Sequence, residues 1–341
     1  MKITFQIYIA IAVVISLSFS QAMAQEIVKP NAKEPSAKEP SAKEPPAKEP
    51  PAKEPPAKEP PETEFVGATV EVYKMVGKVE LKAWIFKPSS IHESQKLPAA
   101  IFFFGGGWRG GSPKQFVEHC KYLRSRGMIG IVVDYRVSSR HPVKAVDCIA
   151  DAKSAVRWVR LNSERLGIDP ERIAAGGGSA GGHLAAATAT VAGFDSAEGQ
   201  TSISCRPNAL ILFNPAVVLA GIPGKAEMNE ERLASLTKRA GVEPSKISPY
   251  HGDLTSAPPT FIVHGKADTT VPYQSVEFYT EKMHANNREC RLIGYENQQH
   301  GFFNFGKSGL EYFNKTVAEM DAFLVSLGYL KTKGKIEKAG K

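Results

Sequence analysis

Hydrophobic positions in this chain fall into short solid runs separated by stretches of helical spacing. Residues 97–104 and 128–134 are apolar almost without interruption, as expected for strands covered on both faces. Residues 209–213 and 260–264 read the same way, and 291–295 is a further strand. Between the runs, residues 113–126, 144–166, 271–285 and 309–327 carry apolar side chains at helical intervals, and Gly127 and Gly167 stand where two of those helices should stop. Residues 68–75 and 78–86, joined at Gly77, predict an antiparallel hairpin. A turn at Asp169-Pro170-Glu171 leads into a short run, 172–175, and a small-residue helix pattern follows from Gly182. Such alternation predicts an α/β fold, a mostly parallel sheet with helices on both faces. From 214 to 258 the pattern breaks. Pro215, Pro223, Pro244 and Pro249 interrupt it and only 230–240 reads as a helix, so an insertion over the carboxyl ends of the strands, acting as a small cap, is expected there.

The ends of the chain do not read as packed structure. Lys2, the apolar run 3–17 and Ala22-Met23-Ala24 have the form of a signal peptide, 1–24, cleaved near Ala24. The run is shorter than the roughly 20 residues a spanning helix needs, so export without a stable membrane anchor is expected, to the periplasm or the exterior. Residues 25–63 hold an Ala-Lys-Glu-Pro-Pro repeat that cannot bury an apolar face, a solvated spacer of up to roughly 90 Å at about 3.1 Å per residue. A catalytic domain over 64–330 and a basic tail, 331–341, complete the expected organisation. Half of the net charge of +8 sits in that tail, which has five lysines and one glutamate, and Lys2 adds to it, so no nucleic-acid partner is implied. Cys120, Cys148, Cys205 and Cys290 lack metal-ligand spacing, and three pairings are open to them.

Candidate chemistry centres on Gly177-Gly178-Ser179-Ala180-Gly181, a Gly-x-Ser-x-Gly pattern placed where a strand turns into a helix. A serine hydroxyl is a weak nucleophile and needs a base, and the base needs a partner that fixes its tautomer. Asp268, after the strand 260–264, and His300, after the strand 291–295, follow in the order serine, acid, histidine. Asp268 is also in place to cap the helix near Val271, and Glu296 is the reserve acid. Donors to the oxygen that becomes negative are expected from the amides of Ala180, Gly106 and Gly107. Trp108, His183 and Phe302 are candidate substrate contacts, though helix packing is an alternative for His183, and core packing for Trp108 and Phe302.

Phe104-Gly105-Gly106-Gly107-Trp108, Asp134-Tyr135-Arg136, the serine motif with His183, His264-Gly265-x-x-Asp268 and His300-Gly301-Phe302 together resemble the α/β-hydrolase esterases. The similarity is greatest to hormone-sensitive-lipase-like carboxylesterases and to bacterial acetyl-xylan and feruloyl esterases of the BD-FAE-like group. That resemblance implies a carboxylic ester hydrolase with no cofactor and no metal, Ser179, Asp268 and His300 as its triad, and an acyl-enzyme intermediate. With export, it points to acetyl or feruloyl esters on a polysaccharide such as xylan. In two places the chain departs from the pattern. Phe104 stands where a histidine usually braces the glycine loop, so packing by Trp108 is expected to hold it, and Val137-Ser138-Ser139-Arg140 replaces the usual continuation of Asp-Tyr-Arg. A prolyl-oligopeptidase-like peptidase and a non-catalytic hydrolase-like module that binds wall polymers are the alternative readings.

Overall fold

The structure, a computed structural model, describes residues 64–89, 95–197, 200–307 and 309–332. The expected signal peptide and repeat, and the tail beyond residue 332, lie outside the described residues. A hairpin of β1 (Thr69–Val76) and β2 (Val79–Phe86) opens the sheet, turning at Gly77 with φ of 57°. Next come β3 (Leu97–Phe103), α1 (Val117–Ser125) and β4 (Ile129–Val133), then α2 (Ala145–Leu161), α3 (Ser163–Leu166), β5 (Ile168–Gly178) and α4 (Ala180–Thr190). After β6 (Ala209–Phe213) and α5 (Glu230–Ala240), the chain closes with β7 (Thr260–Gly265), α6 (Tyr273–Ala285), β8 (Cys290–Tyr295) and α7 (Glu311–Ser326). The eight strands form one sheet in the order β1-β2-β4-β3-β5-β6-β7-β8. β2 runs antiparallel to β1 and β4, and every pairing from β4 to β8 is parallel. This is the α/β-hydrolase arrangement.

Why the apolar runs were continuous is visible in β3. Leu97, Ala99, Ile101 and Phe103 face the layer that holds α2, α4 and α6, while Ala100 and Phe102 face the layer of α1 and α7. Both faces are covered, so alternation has no polar side to occupy. Parallel order also brings the carboxyl ends of β3, β5, β6, β7 and β8 to one edge, where ligands of open α/β sheets bind.

The differences from the sequence reading are local. Residues 113–126 begin as a 3₁₀ turn, Pro113–Phe116, capped by the Ser112 hydroxyl accepting from the Lys114 amide, and become α-helical only at Val117. The helix expected over 144–166 is broken at Asn162, whose side-chain amide donates to the Trp158 carbonyl and so takes over an end-of-helix acceptor. Asp169-Pro170-Glu171 is a bulge within β5: β3 advances from Leu97 to Ala99 while β5 advances from Ile168 to Ile173. All four cysteines are free thiols, and burial pushes Cys290 up to about 12. Among the described residues no helix is long and apolar enough to cross a membrane.

Candidate active site

Ser179 sits between the end of β5 and the start of α4 with φ of 54° and ψ of −117°, a conformation rare for any residue with a side chain. The sequence around it permits this because Gly178 and Gly181 leave room for the turn. A Cβ on Gly178 would stand 2.6 Å from the ring of Phe303, and one on Gly181 would collide with the carbonyl of Phe103. Backbone bonds lock the turn: the Ser179 amide donates to Phe213, and its carbonyl accepts from His183 and Ala216. The hydroxyl is left for other work.

Asp268 lies in the loop after β7, buried, with its two oxygens differently employed. Oδ1 accepts from the amides of Thr270 and Val271 at 2.8 and 2.9 Å; this closes the loop before α6 and is not the helix cap expected from sequence, because α6 starts at Tyr273 with Pro272 at its cap. Oδ2 accepts from His300 Nδ1 at 2.6 Å and from Asn214 Nδ2 at 2.9 Å, with His264 Nε2 at 3.2 Å. Burial alone would raise the Asp268 pKa, but hydrogen bonds from His264, His300 and the Val271 amide outweigh it and hold the carboxyl well below the usual range. His300 therefore keeps its proton on Nδ1, and Nε2 is the ring nitrogen left to act as base. Glu296, the reserve acid, is exposed and paired with Lys266 at 2.5 Å, away from this cluster.

No hydrogen bond joins the Ser179 hydroxyl to the His300 ring. Instead the two loops are brought together through Gln115 and Phe303. Gln115 Oε1 accepts from the Gly105 amide at 2.6 Å, and its Nε2 donates to Asn304 Oδ1 at 2.9 Å. A Cβ built on Gly105 would lie 3.3 Å from Cβ of Ser179, so one glutamine spans the glycine loop beside the serine and the histidine loop.

The glycine loop itself bends with φ of 127° at Gly106 and 65° at Gly107. Among the described residues the amides of Gly106 and Gly107 meet no acceptor, and that of Ala180 opens α4 as an unpaired helix donor. The three amides named from sequence are therefore unpaired donors among the described residues. The loop is braced at several points. Tyr135 donates to the Phe104 carbonyl at 2.7 Å and stacks on the Phe104 ring, centroids 4.2 Å apart. Where the resemblance led to histidine, an aromatic stack and Gln115 hold the loop, and Trp108 adds a tie as expected.

That tie corrects one candidate contact. His183 is fully buried: its Nδ1 accepts from the Trp108 indole at 3.2 Å, so its Nε2 carries the proton donated to the Ile247 carbonyl at 2.8 Å. Burial lowers its pKa to about 4. It fastens the glycine loop to the insertion and cannot reach substrate. Phe302 is likewise no substrate contact; it is buried against Tyr295, Tyr312 and Phe303. Trp108 does line the cavity over Ser179, a hollow of about 370 Å³ whose apolar wall includes Val218, Leu219, Met228 and Phe278. Residues inside the 214–258 segment, from Ala216 to Arg239, form much of its wall.

With this geometry in hand, the relatives can be placed. The BD-FAE profile matches residues 85–283, more than half of the chain, and that of the dienelactone hydrolase family matches 240–332. The chain belongs to the BD-FAE family. Esterase 2 of Thermogutta terrifontis, solved with propionate bound, is 46% identical over 79% of this chain and 97% of its own, with a TM-score of 0.75. Esterase LipC of Mycobacterium tuberculosis is 29% identical over 59% of this chain, which spans only 51% of LipC. The acetylxylan esterase of Xylanibacter ruminicola is 26% identical over 60% of this chain and 40% of its own length. With these relatives, this BD-FAE chain is an enzyme of the esterase class.

Three further residues of the BD-FAE site escaped the sequence reading: Asn214, His264 as a partner of Asp268, and Gln115. Asn214 follows a strand and has φ of 42°, a position asparagine tolerates better than most, but nothing in its neighbours announces the carboxylate it meets 54 residues later. Gln115 looks like any polar residue at a helix start.

Proposed function

We propose that this BD-FAE chain is an exported serine esterase that removes short acyl groups, acetyl or feruloyl, from a polysaccharide such as xylan. Ser179 Oγ attacks the ester carbonyl carbon while His300 Nε2 takes its proton. The carbonyl oxygen becomes an anion received by the amides of Gly106, Gly107 and Ala180, each donor of this kind stabilising the transition state by about 3 kcal/mol. His300 then returns the proton to the departing alcohol, leaving an acyl-enzyme on Ser179. Water repeats the sequence and releases the acid, while Asp268, held ionised, orients and stabilises the imidazolium throughout.

The observation that carries this reading is the 2.6 Å bond between Asp268 and His300, in a loop at the same sheet edge as a serine in a strained elbow. Short acyl groups suit a hollow of about 370 Å³, and the Thermogutta esterase has been solved with propionate, with butyrate and phosphonylated by sarin. The polysaccharide rests on the acetylxylan esterase relative and on the signal-like segment 1–24.

A panel of p-nitrophenyl esters of rising chain length, methyl ferulate and acetylated xylan tests it. Turnover should favour short acyl chains and fall on the order of 10⁶-fold in Ser179→Ala. Equal turnover by that variant, or none of p-nitrophenyl acetate by the wild type, overturns the assignment. Release of ferulate or acetate from xylan separates the two acyl groups. The mass of the mature protein in the exported fraction reads the cleavage site, expected after Ala24.

A further inference from the structure

Beyond Trp108 the cavity over Ser179 meets a second hollow of about 350 Å³. The two share Gly107, Trp108 and Arg239, and the second adds Arg109, Lys144 and Lys238 to its wall. No acidic side chain lines it. Arg232 stands in the first hollow with Glu227, the sole acid there, whose carboxylate accepts from the Gly224 amide at 3.4 Å. Arg109, Lys144, Lys238 and Arg239 thus surround a space that begins at a candidate oxyanion donor, and among the described residues none of the four has an ion-pair partner.

Arg239 shows that this is more than a solvated basic face. It is half-buried, its guanidinium lies 5.7 Å from the ring of Trp108, and a Cβ on Gly107 would be 3.7 Å from its Nη1. Its Nε is buried with no acceptor. Burial, with the neighbouring charges of Arg109 and Arg232, pulls its pKa down. Elsewhere the buried and half-buried arginines each have an acceptor, although Arg157 keeps one buried nitrogen, Nη1, without a partner. Arg126 meets Asp321, Arg136 meets Asp151, Arg140 meets Asp134 and Arg157 meets Asp195, while Arg160 and Arg288 donate to carbonyls. Among the described residues Arg239 alone of this group donates to nothing, and it does so at the mouth of the catalytic pocket.

We propose that the second hollow is an anion subsite and that the substrate carries a carboxylate close to the ester, on its acyl or its alcohol side. A guanidinium presents a planar pair of donors that matches a carboxylate, and this one has no protein acceptor to give up on binding. A substrate carboxylate would supply that acceptor and anchor the ester beside Gly107. On the alcohol side this describes a uronate-bearing sugar, and on the acyl side a dicarboxylic half-ester. The assignment rests on the esterase reading of Ser179.

Two kinds of measurement test it. For the acyl side, kcat/KM is compared between p-nitrophenyl butyrate and mono-p-nitrophenyl succinate; for the alcohol side, between acetylated methyl xyloside and acetylated methyl glucuronide. The anionic member of at least one pair should be preferred, and the preference should shrink in added salt. The anionic-to-neutral ratio should fall roughly ten-fold in Arg239→Met, mainly through KM, with part restored in Arg239→Lys and a smaller fall in Arg109→Ala. No preference in either pair, or an unchanged ratio in both Arg239→Met and Arg109→Ala, overturns the subsite. Binding is read without turnover by calorimetry: methyl glucuronide and succinate against their neutral methyl esters, on wild type and Arg239→Met. Discrimination there supports the subsite even if no ester is hydrolysed, a result that would fail the esterase reading alone. Equal binding of acid and neutral ester, alongside an absent kinetic preference, sinks the subsite and leaves the esterase standing.

Discussion

Asn214 donates at 2.9 Å to the same Asp268 oxygen that takes His300 at 2.6 Å, and its own Oδ1 is buried without a partner. A carboxylate only accepts, so the amide nitrogen must face it. Here Asn214 acts as a positioning residue that works through Asp268. Removing it in Asn214→Ala deletes one donor to the acid and should lower kcat about ten-fold with KM little changed. Asn214→Asp is the sharper test. It sets a second carboxylate beside Asp268, and added negative charge holds a proton on the imidazole more tightly. The acidic limb of the kcat/KM profile should therefore move to higher pH, which a merely structural role would not produce; a limb that stays in place would refute this role. At this scale the sequence was informative where chemistry dictates residue type. Ser179, Asp268 and His300 each follow a strand, in the order this fold uses, so they could be read. Asn214, Gln115 and Arg239 could not, because their importance comes from what approaches them in space. His183 and Phe302 misled for the same reason. A histidine next to a nucleophile and an aromatic next to a base look like substrate contacts until burial is known.

Among the elements, the layout was legible because both faces of the sheet are covered and each strand therefore announces itself as an apolar run. What periodicity could not supply was how the loops at the carboxyl edge hold one another. Gln115, on the 3₁₀ turn before α1, uses both ends of its amide: Oε1 on Gly105 and Nε2 on Asn304, which in turn donates to the Gly301 carbonyl at 2.8 Å. The loop that offers Gly106 and Gly107 and the loop that carries His300 are thereby set against each other. Gln115→Leu breaks both bonds and leaves the Gly105 amide without its acceptor. Loss of alignment between oxyanion donors and base acts on the transition state, so kcat should fall about 10- to 100-fold, some 1.4–2.7 kcal/mol, while KM changes little. Gln115→Glu keeps the acceptor for Gly105 but loses the donor and places negative charge beside the oxyanion donors. It should retain the thermal stability of the wild type better than Gln115→Leu and still lose activity. Full activity in Gln115→Glu would show that the link to Asn304 is dispensable.

The whole molecule inherits a pH response from histidines that the reaction does not use. His119 lies on α1, packed among the rings of Phe116, Phe213 and Phe313, with both ring nitrogens buried and unpartnered. Burial brings its pKa to about 3, and that of His183 to about 4. Their folded values lie below the ordinary value of about 6.5, so in the window between about 6.5 and 4 the unfolded chain binds protons that the folded chain refuses. Stability must therefore fall as pH falls through that window, by about 2 kcal/mol per histidine between pH 7 and pH 5. Asp268 acts in the same direction but lower, because its carboxyl, held below the usual range, loses its contribution only as pH drops through the carboxylate region. His119→Leu separates the terms. It removes two unpaired buried nitrogens in favour of a side chain that suits the aromatic cluster, so at pH 7 it should stabilise by about 1–2 kcal/mol. It should also lose about 2 kcal/mol less than the wild type between pH 7 and pH 5. Urea denaturation midpoints of both proteins at pH 7, 6 and 5 measure each quantity. Parallel losses across that range would mean that His119 accepts a proton inside the folded protein, which would require a water or an acceptor within the aromatic cluster around α1.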